Sequence, residues 1–140
     1  SAASDVYKRQ PGHTSGHICF HFFTDKTVFT GDTLFSLGCG RIFEGSYEDM
    51  FNSLLRLKVL PPETKVFFGH EYTLNNAIFC QKFDQNNSEL NKKILNIKKK
   101  LDSGFPSVPS TIKDELNCNI FLRAKNQEEF SKLRDLKDNF

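Results

Sequence analysis

The chain contains no run approaching the roughly 20 consecutive apolar residues that cross a bilayer, so no membrane-spanning helix is expected. Cysteine is sparse and scattered: Cys19, Cys39, Cys80 and Cys118 form no C-x-x-C pair, and no signal peptide is visible in these residues. That spacing supports neither a disulfide framework nor a zinc knuckle, and reduced thiols in the cytoplasm or the mitochondrial matrix are expected. Charge of one sign is lacking as well, since 19 Lys and Arg face 17 Asp and Glu for a net +2. Such a balance gives no reason to expect nucleic acid or membrane as a partner. There is no internal repeat, no low-complexity tract and no initiator Met. What remains is 140 residues, 38% hydrophobic with 15 Phe, enough for a real core.

Residues 1–10 are small, polar and charged without strand-like alternation, and are expected to be a foreign or mis-assigned segment, leaving a chain whose native N-terminal part lies elsewhere. From His17 to Phe23 polar and apolar residues alternate, with Ile18, Phe20 and Phe22 on one face. After a turn at Thr24-Asp25-Lys26, Thr27 to Thr30 resumes extended character, so a hairpin is predicted. Gly31 to Gly45 reads as glycine-punctuated loop. Ser46 and Asp49 have the spacing of a capping box opening a helix, whose stripe includes Met50, Leu54 and Leu57 and which Pro61-Pro62 stops. Thr64 to Phe68 is a short strand and Leu74 to Phe83 a helix. A further helix capped at Asn87 or Ser88 carries Leu90, Ile94, Ile97 and Leu101 on one face and lysines elsewhere, and Gly104 ends it. Phe105 to Thr111 is a proline-rich extended linker, a helical turn follows from Thr111, and a last helix begins near Gln127.

Three residues suited to ligating metal each follow a glycine: His13 in Pro11-Gly12-His13-Thr14-Ser15-Gly16-His17, Asp32 in Phe29-Thr30-Gly31-Asp32-Thr33, and His70 in Gly69-His70-Glu71-Tyr72-Thr73. Imidazole and carboxylate ligate zinc and related ions, and a carboxylate can bridge two of them. Taken singly, each is an ordinary turn residue. In this order and context the three segments resemble the metallo-β-lactamase superfamily, and more narrowly the glyoxalase II (hydroxyacylglutathione hydrolase) family. Gly38-Cys39-Gly40-Arg41-Ile42-Phe43-Glu44-Gly45, Leu60-Pro61-Pro62-Glu63-Thr64, Val108-Pro109-Ser110-Thr111 and Leu133-Arg134-Asp135-Leu136-Lys137-Asp138 carry the narrower likeness.

The resemblance implies an α/β fold: the second half of a metallo-β-lactamase αββα sandwich in residues 11–85, then a small C-terminal helical glutathione-binding subdomain in residues 86–140. It implies that His13 and His70 each ligate one of two divalent ions, zinc first and iron or manganese as alternatives, with Asp32 bridging. The family's other ligands lie in a T-H-x-H-x-D-H motif, and no H-x-H-x-D-H occurs here. His17 and His21 are expected to be structural or surface residues. Substrate contacts are implied for Arg41, Phe43, Tyr72, Arg134 and Lys137, where Arg41 stands in place of a frequent Lys and Phe43 in place of a frequent Tyr. Arg134 and Lys137, three apart on a helix, project from one side and suit carboxylates; on the plainer reading they pair with Asp135, Asp138 or Glu128.

The implied activity is hydrolysis of S-(2-hydroxyacyl)glutathione, such as S-lactoylglutathione, to the 2-hydroxy acid and glutathione, by metal-activated water without a protein nucleophile. The complete enzyme is expected to be a monomer. With three ligands instead of seven, the 140-residue chain alone is expected to hydrolyse no thioester and to hold metal poorly. Half a sandwich also leaves an apolar sheet face uncovered. The alternatives are another enzyme of the superfamily, such as a persulfide dioxygenase, and a non-catalytic glutathione-binding remnant.

Overall fold

The computed structural model describes residues 5–9 and 18–140, with the backbone path alone at 5–9 and 18. β1 (Asp5–Arg9) and β2 (Ile18–Phe22) pair antiparallel, and β2 turns back into β3 (Thr27–Gly31). A small hairpin, β4 (Leu34–Phe35) with β5 (Gly38–Cys39), precedes α1 (Tyr47–Lys58), which crosses over to β6 (Lys65–Phe68), parallel to β3. Then come α2 (Thr73–Phe83), α3 (Ser88–Asp102), β7 (Ser110–Thr111), α4 (Ile112–Cys118) and α5 (Gln127–Asp138). The main sheet runs β1-β2-β3-β6-β7.

Local chemistry explains most boundaries. Ser46 accepts from the Asp49 N–H while the Asp49 carboxylate accepts from the Ser46 N–H, so the predicted capping box starts α1. Asn87 caps α3 by accepting from Leu90 N–H, and Thr111 caps α4 by accepting from Asp114 N–H. Three expectations are corrected. Residues 1–10 do contain a strand, because an edge strand is recruited by backbone hydrogen bonds and needs little side-chain periodicity. The 31–45 loop contains the β4–β5 hairpin. The end of the linker, Ser110–Thr111, is itself a strand, registered on Val66 and Lys65.

The two faces of the sheet differ sharply. His21, Val28, Val66 and Ser110 form one cross-strand row, all buried, and Val28 and Val66 join Cys19, Met50, Leu54 and Leu57 in the core. His21 is thus a buried residue. On the other face Phe20, Phe29 and Phe67 align across β2, β3 and β6, with Phe29 stacked on Phe67 at 5.1 Å and Phe22 edge-on to Phe29 at 5.7 Å. Phe20 is 51% exposed and Phe29 44%, so among the described residues no layer covers this aromatic face.

Candidate active site

The candidate metal end is built by strand ends. β3 and β6 are parallel neighbours, so their C-terminal ends meet at one edge, the usual place for a site in an open α/β sheet. A register shift after Phe29 brings Gly31 opposite Phe68, and Gly69 N–H then donates to Gly31 C=O at 2.8 Å. Gly31 adopts φ 52°, a left-handed conformation that favours glycine. At Gly69 the constraint is space: a Cβ there would lie 2.8 Å from Asp32 Oδ1 and 3.1 Å from Gly31 O. These two glycines let Asp32 and His70 approach, with His70 Nε2 3.3 Å from Asp32 Oδ1.

His70 stacks on Tyr72 at 5.0 Å and 17°, and Phe35 meets Tyr72 edge-on at 5.2 Å, fixing the imidazole plane. Glu71 points away from this stack. Its carboxylate accepts from Ser107 N–H at 2.7 Å and from the Ser107 hydroxyl, tying the turn to the segment before β7. Burial would raise the Glu71 pKa, but its hydrogen bonds from Ser107 and Thr73 outweigh burial and hold the carboxyl below its usual value.

The donor chemistry at this end fits a divalent cation: one carboxylate and one imidazole converge where strand ends leave them half-exposed. The set is incomplete, since among the described residues no group of three or more His, Cys, Asp or Glu gathers around a common point. His13, the third expected ligand, and His17 lie outside the described residues.

The other end is organised around Arg134, which is 3% exposed. Its guanidinium donates to Cys39 C=O at 2.7 Å and Gly40 C=O at 3.4 Å, and it grips Asp138 Oδ1 at 2.8 Å and 3.0 Å. Asp138 also faces Arg41 Nε at 3.8 Å. The pairing with Asp138 is the plainer of the two sequence readings, yet its consequence is local order: Arg134 fastens the backbone that presents Arg41. Burial disfavours the Arg134 cation, but Cys39 and Asp138 together more than compensate and its pKa is raised. Lys137 is shifted down, by burial first and then by repulsion from Arg134 and Arg41. Its ammonium lies over the Phe79 and Phe140 rings, 5.9 Å from each centroid.

Behind both ends sits a buried carboxylate that the sequence did not single out. Glu115 accepts from Leu37 N–H at 2.7 Å, the Ser36 hydroxyl at 3.0 Å and Asn119 Nδ2 at 3.0 Å, with Lys93 Nζ at 3.3 Å. Leu37 adopts φ 61°, unusual for a branched residue, at the β4–β5 turn. Asn76 Nδ2 donates to Ser36 C=O and the Cys80 thiol to Leu37 C=O, so α2 and α4 hold that turn from two sides. All four cysteines are reduced and buried; burial pushes the Cys19, Cys80 and Cys118 thiols up to about 12.

The two ends share one cavity of about 440 Å³. Asp32, His70 and Tyr72 line one part of it and Arg41, Phe43, Arg134 and Lys137 another, so the seven expected residues that are described come together. Phe35, Cys39, Gly40, Asn75 and Asn76 line it as well. Of these, Asn75 and Asn76 were findable: they stand three and four residues after Tyr72 and so follow it on one helical face.

Two family models together cover nearly all of the chain: residues 6–70 match the metallo-beta-lactamase superfamily, and residues 71–140 match the hydroxyacylglutathione hydrolase C-terminus. The hydroxyacylglutathione hydrolase of Pelagibacter ubique is 62% identical over 130 residues, covering 93% of this chain and 54% of that protein. The enzyme of that name from Rhizobium etli is 46% identical, covering 93% of this chain and 56% of its own length. The chain thus spans about half the length of these curated relatives. Among solved structures, ETHE1 from Myxococcus xanthus is 27% identical with a TM-score of 0.63, covering 94% of this chain and 44% of that one. TTHA1623, solved in a di-iron-bound form, is 26% identical with a TM-score of 0.56, covering 84% and 42%. A carboxylate and an imidazole at strand ends, a cationic cavity wall and matches to two family models that together span residues 6–140 lead to one conclusion: the chain belongs to the hydroxyacylglutathione hydrolase family of the metallo-β-lactamase superfamily.

Proposed function

We propose that this chain supplies the bridging carboxylate, one or more histidine ligands and the glutathione anchor of a metal-dependent thioester hydrolase acting on S-(2-hydroxyacyl)glutathione. The observation that carries the reading is the shared cavity, bordered by Asp32 and His70 in one part and by Arg41 and Lys137 in another. A glutathione thioester needs that division, with a reactive carbonyl in one place and carboxylates in another.

Asp32, His70 and, by resemblance, His13 would hold two divalent ions, zinc first. When bound, such ions activate water near neutral pH and stabilise charge on the carbonyl oxygen. The chain's own residues do the positioning. Tyr72 and Phe35 keep the His70 ring in plane and shield one side of it from water. Arg41 and Lys137 offer positive charge to the substrate carboxylates, while Arg134 holds the Cys39–Gly40 backbone from which Arg41 projects. Residues 86–140 serve as the glutathione-binding subdomain.

The test is a chimera in which this chain follows the first half of the Pelagibacter relative, which is 62% identical where the two overlap. The chimera should hydrolyse S-lactoylglutathione and should lose that activity in Asp32→Ala and His70→Ala; the 140-residue chain alone should show none. Oxygen uptake without thioester hydrolysis would overturn the reading.

A further inference from the structure

Most polar groups on the cavity wall are already engaged. Asp32 and His70 face one another, Arg134 is spent on Cys39 C=O, Gly40 C=O and Asp138, and Arg41 faces Asp138. Asn76 donates its side-chain amide to Ser36 C=O at 3.1 Å and packs so tightly that a Cβ on Gly38 would lie 2.5 Å from its Nδ2. Its neighbour Asn75 is exposed on the same wall, and its carboxamide makes no hydrogen bond to any other described residue. Tandem asparagines on the first turn of α2 therefore split their duties, one holding the β4–β5 turn and one turned toward the cavity.

We propose that Asn75 is a specificity-determining residue that reads a peptide amide of the ligand. This deepens the function proposed above and rests on it. The cations of the wall recognise carboxylates and discriminate poorly among the acids that carry them. A tripeptide thiol differs from a simple dicarboxylate by its amides, each presenting one donor and one acceptor. A carboxamide offers two donors and an acceptor on a short, uncharged side chain, the matching set. Asn75 stands one helical turn beyond Tyr72, whose ring stacks on His70, so an amide bound there would register the ligand relative to the metal end.

The experiment is a titration of the 140-residue chain, followed by amide NMR shifts, with two probes: S-methylglutathione, which has both amides and both carboxylates, and glutarate, which has carboxylates only. Asn75→Ala should weaken S-methylglutathione by about tenfold, the worth of one good hydrogen bond, and leave glutarate unchanged. Asn75→Asp, nearly isosteric but without the donors, should weaken it at least as much. Dispersed spectra matching the parent outside α2 establish that each variant is folded. Equal affinity of parent and Asn75→Ala for S-methylglutathione, or an equal loss for both probes, would overturn this inference and leave the proposed function standing. A parent chain that binds neither probe would overturn both.

Discussion

The two ends of the cavity are built by opposite strategies. The candidate metal end depends on backbone proximity: two parallel strands finish side by side, glycine permits the approach, and Asp32 and His70 stay half-exposed, with His70 stacked on Tyr72. The anion end depends on buried polar chemistry: Arg134 is enclosed and multiply bonded, and the hairpin leading to it is gripped by Glu115, Asn76 and Cys80. One end is organised by its own buried hydrogen bonds, and the other sets side by side the carboxylate and imidazole we propose as metal ligands. Pre-organised polar groups cost desolvation that only complete satisfaction offsets, which is why the anion end is embedded in the fold.

Three changes would break or sharpen this contrast. The largest effect is expected for Glu115→Ala, which removes the buried one of the two carboxylates facing Lys93 and strands several buried donors, including the Leu37 N–H of a left-handed turn. A loss of about 3–5 kcal/mol in unfolding free energy by denaturant titration is expected, as for breaking a buried ion pair. A loss under about 1 kcal/mol would show that the network is not what holds the anion end.

Gly69→Ala comes next and strikes the other end. Its methyl would press on Asp32 Oδ1 and Gly31 O, so Asp32 and His70 must separate. In the chimera the expected outcome is metal affinity reduced at least tenfold, with binding of S-methylglutathione to the anion wall little changed. Equal damage to both would mean the ends are not independent.

The smallest effect is expected at Lys137. Its pKa is lowered by burial and by Arg134 and Arg41, so the folded state binds this proton less well than the unfolded chain does. The resulting destabilisation is fully present below the lowered pKa and disappears as pH rises past the ordinary lysine value. Lys137→Met should therefore raise the thermal midpoint slightly at pH 7, with the gain shrinking at alkaline pH, while weakening S-methylglutathione. A gain independent of pH would mean that the charge is not its origin.

Much of this was legible in one dimension because it is local. Ser46 with Asp49, Asn87 and Thr111 announced helix starts, since a cap is satisfied within three residues. Glycines before Asp32 and His70 announced sharp turns. The sheet's faces were not legible. Ile18, Phe20 and Phe22 look like a buried stripe, yet Cys19 and His21 point into the core and Phe20 lies open. When both faces of a strand carry apolar residues, alternation does not say which one is covered. Arg134 was equally ambiguous, because a helix-face arginine next to acids reads the same whether it meets solvent, substrate or the C=O groups of Cys39 and Gly40.

By itself, then, the sequence determined the family, the helix boundaries and the identities of the expected ligands, because these rest on residue type and short spacing. Only the tertiary structure decided that Asp32 and His70 meet, that Arg134 braces the backbone, that Glu115 anchors the β4–β5 turn, and that Asn75 faces the cavity while Asn76 does not. Those outcomes depend on strand register and on which buried donor finds which acceptor far along the chain, 40 residues away for Asn76 and Ser36 and 95 for Arg134 and Cys39. Long-range pairing of that kind leaves no periodic trace in the chain.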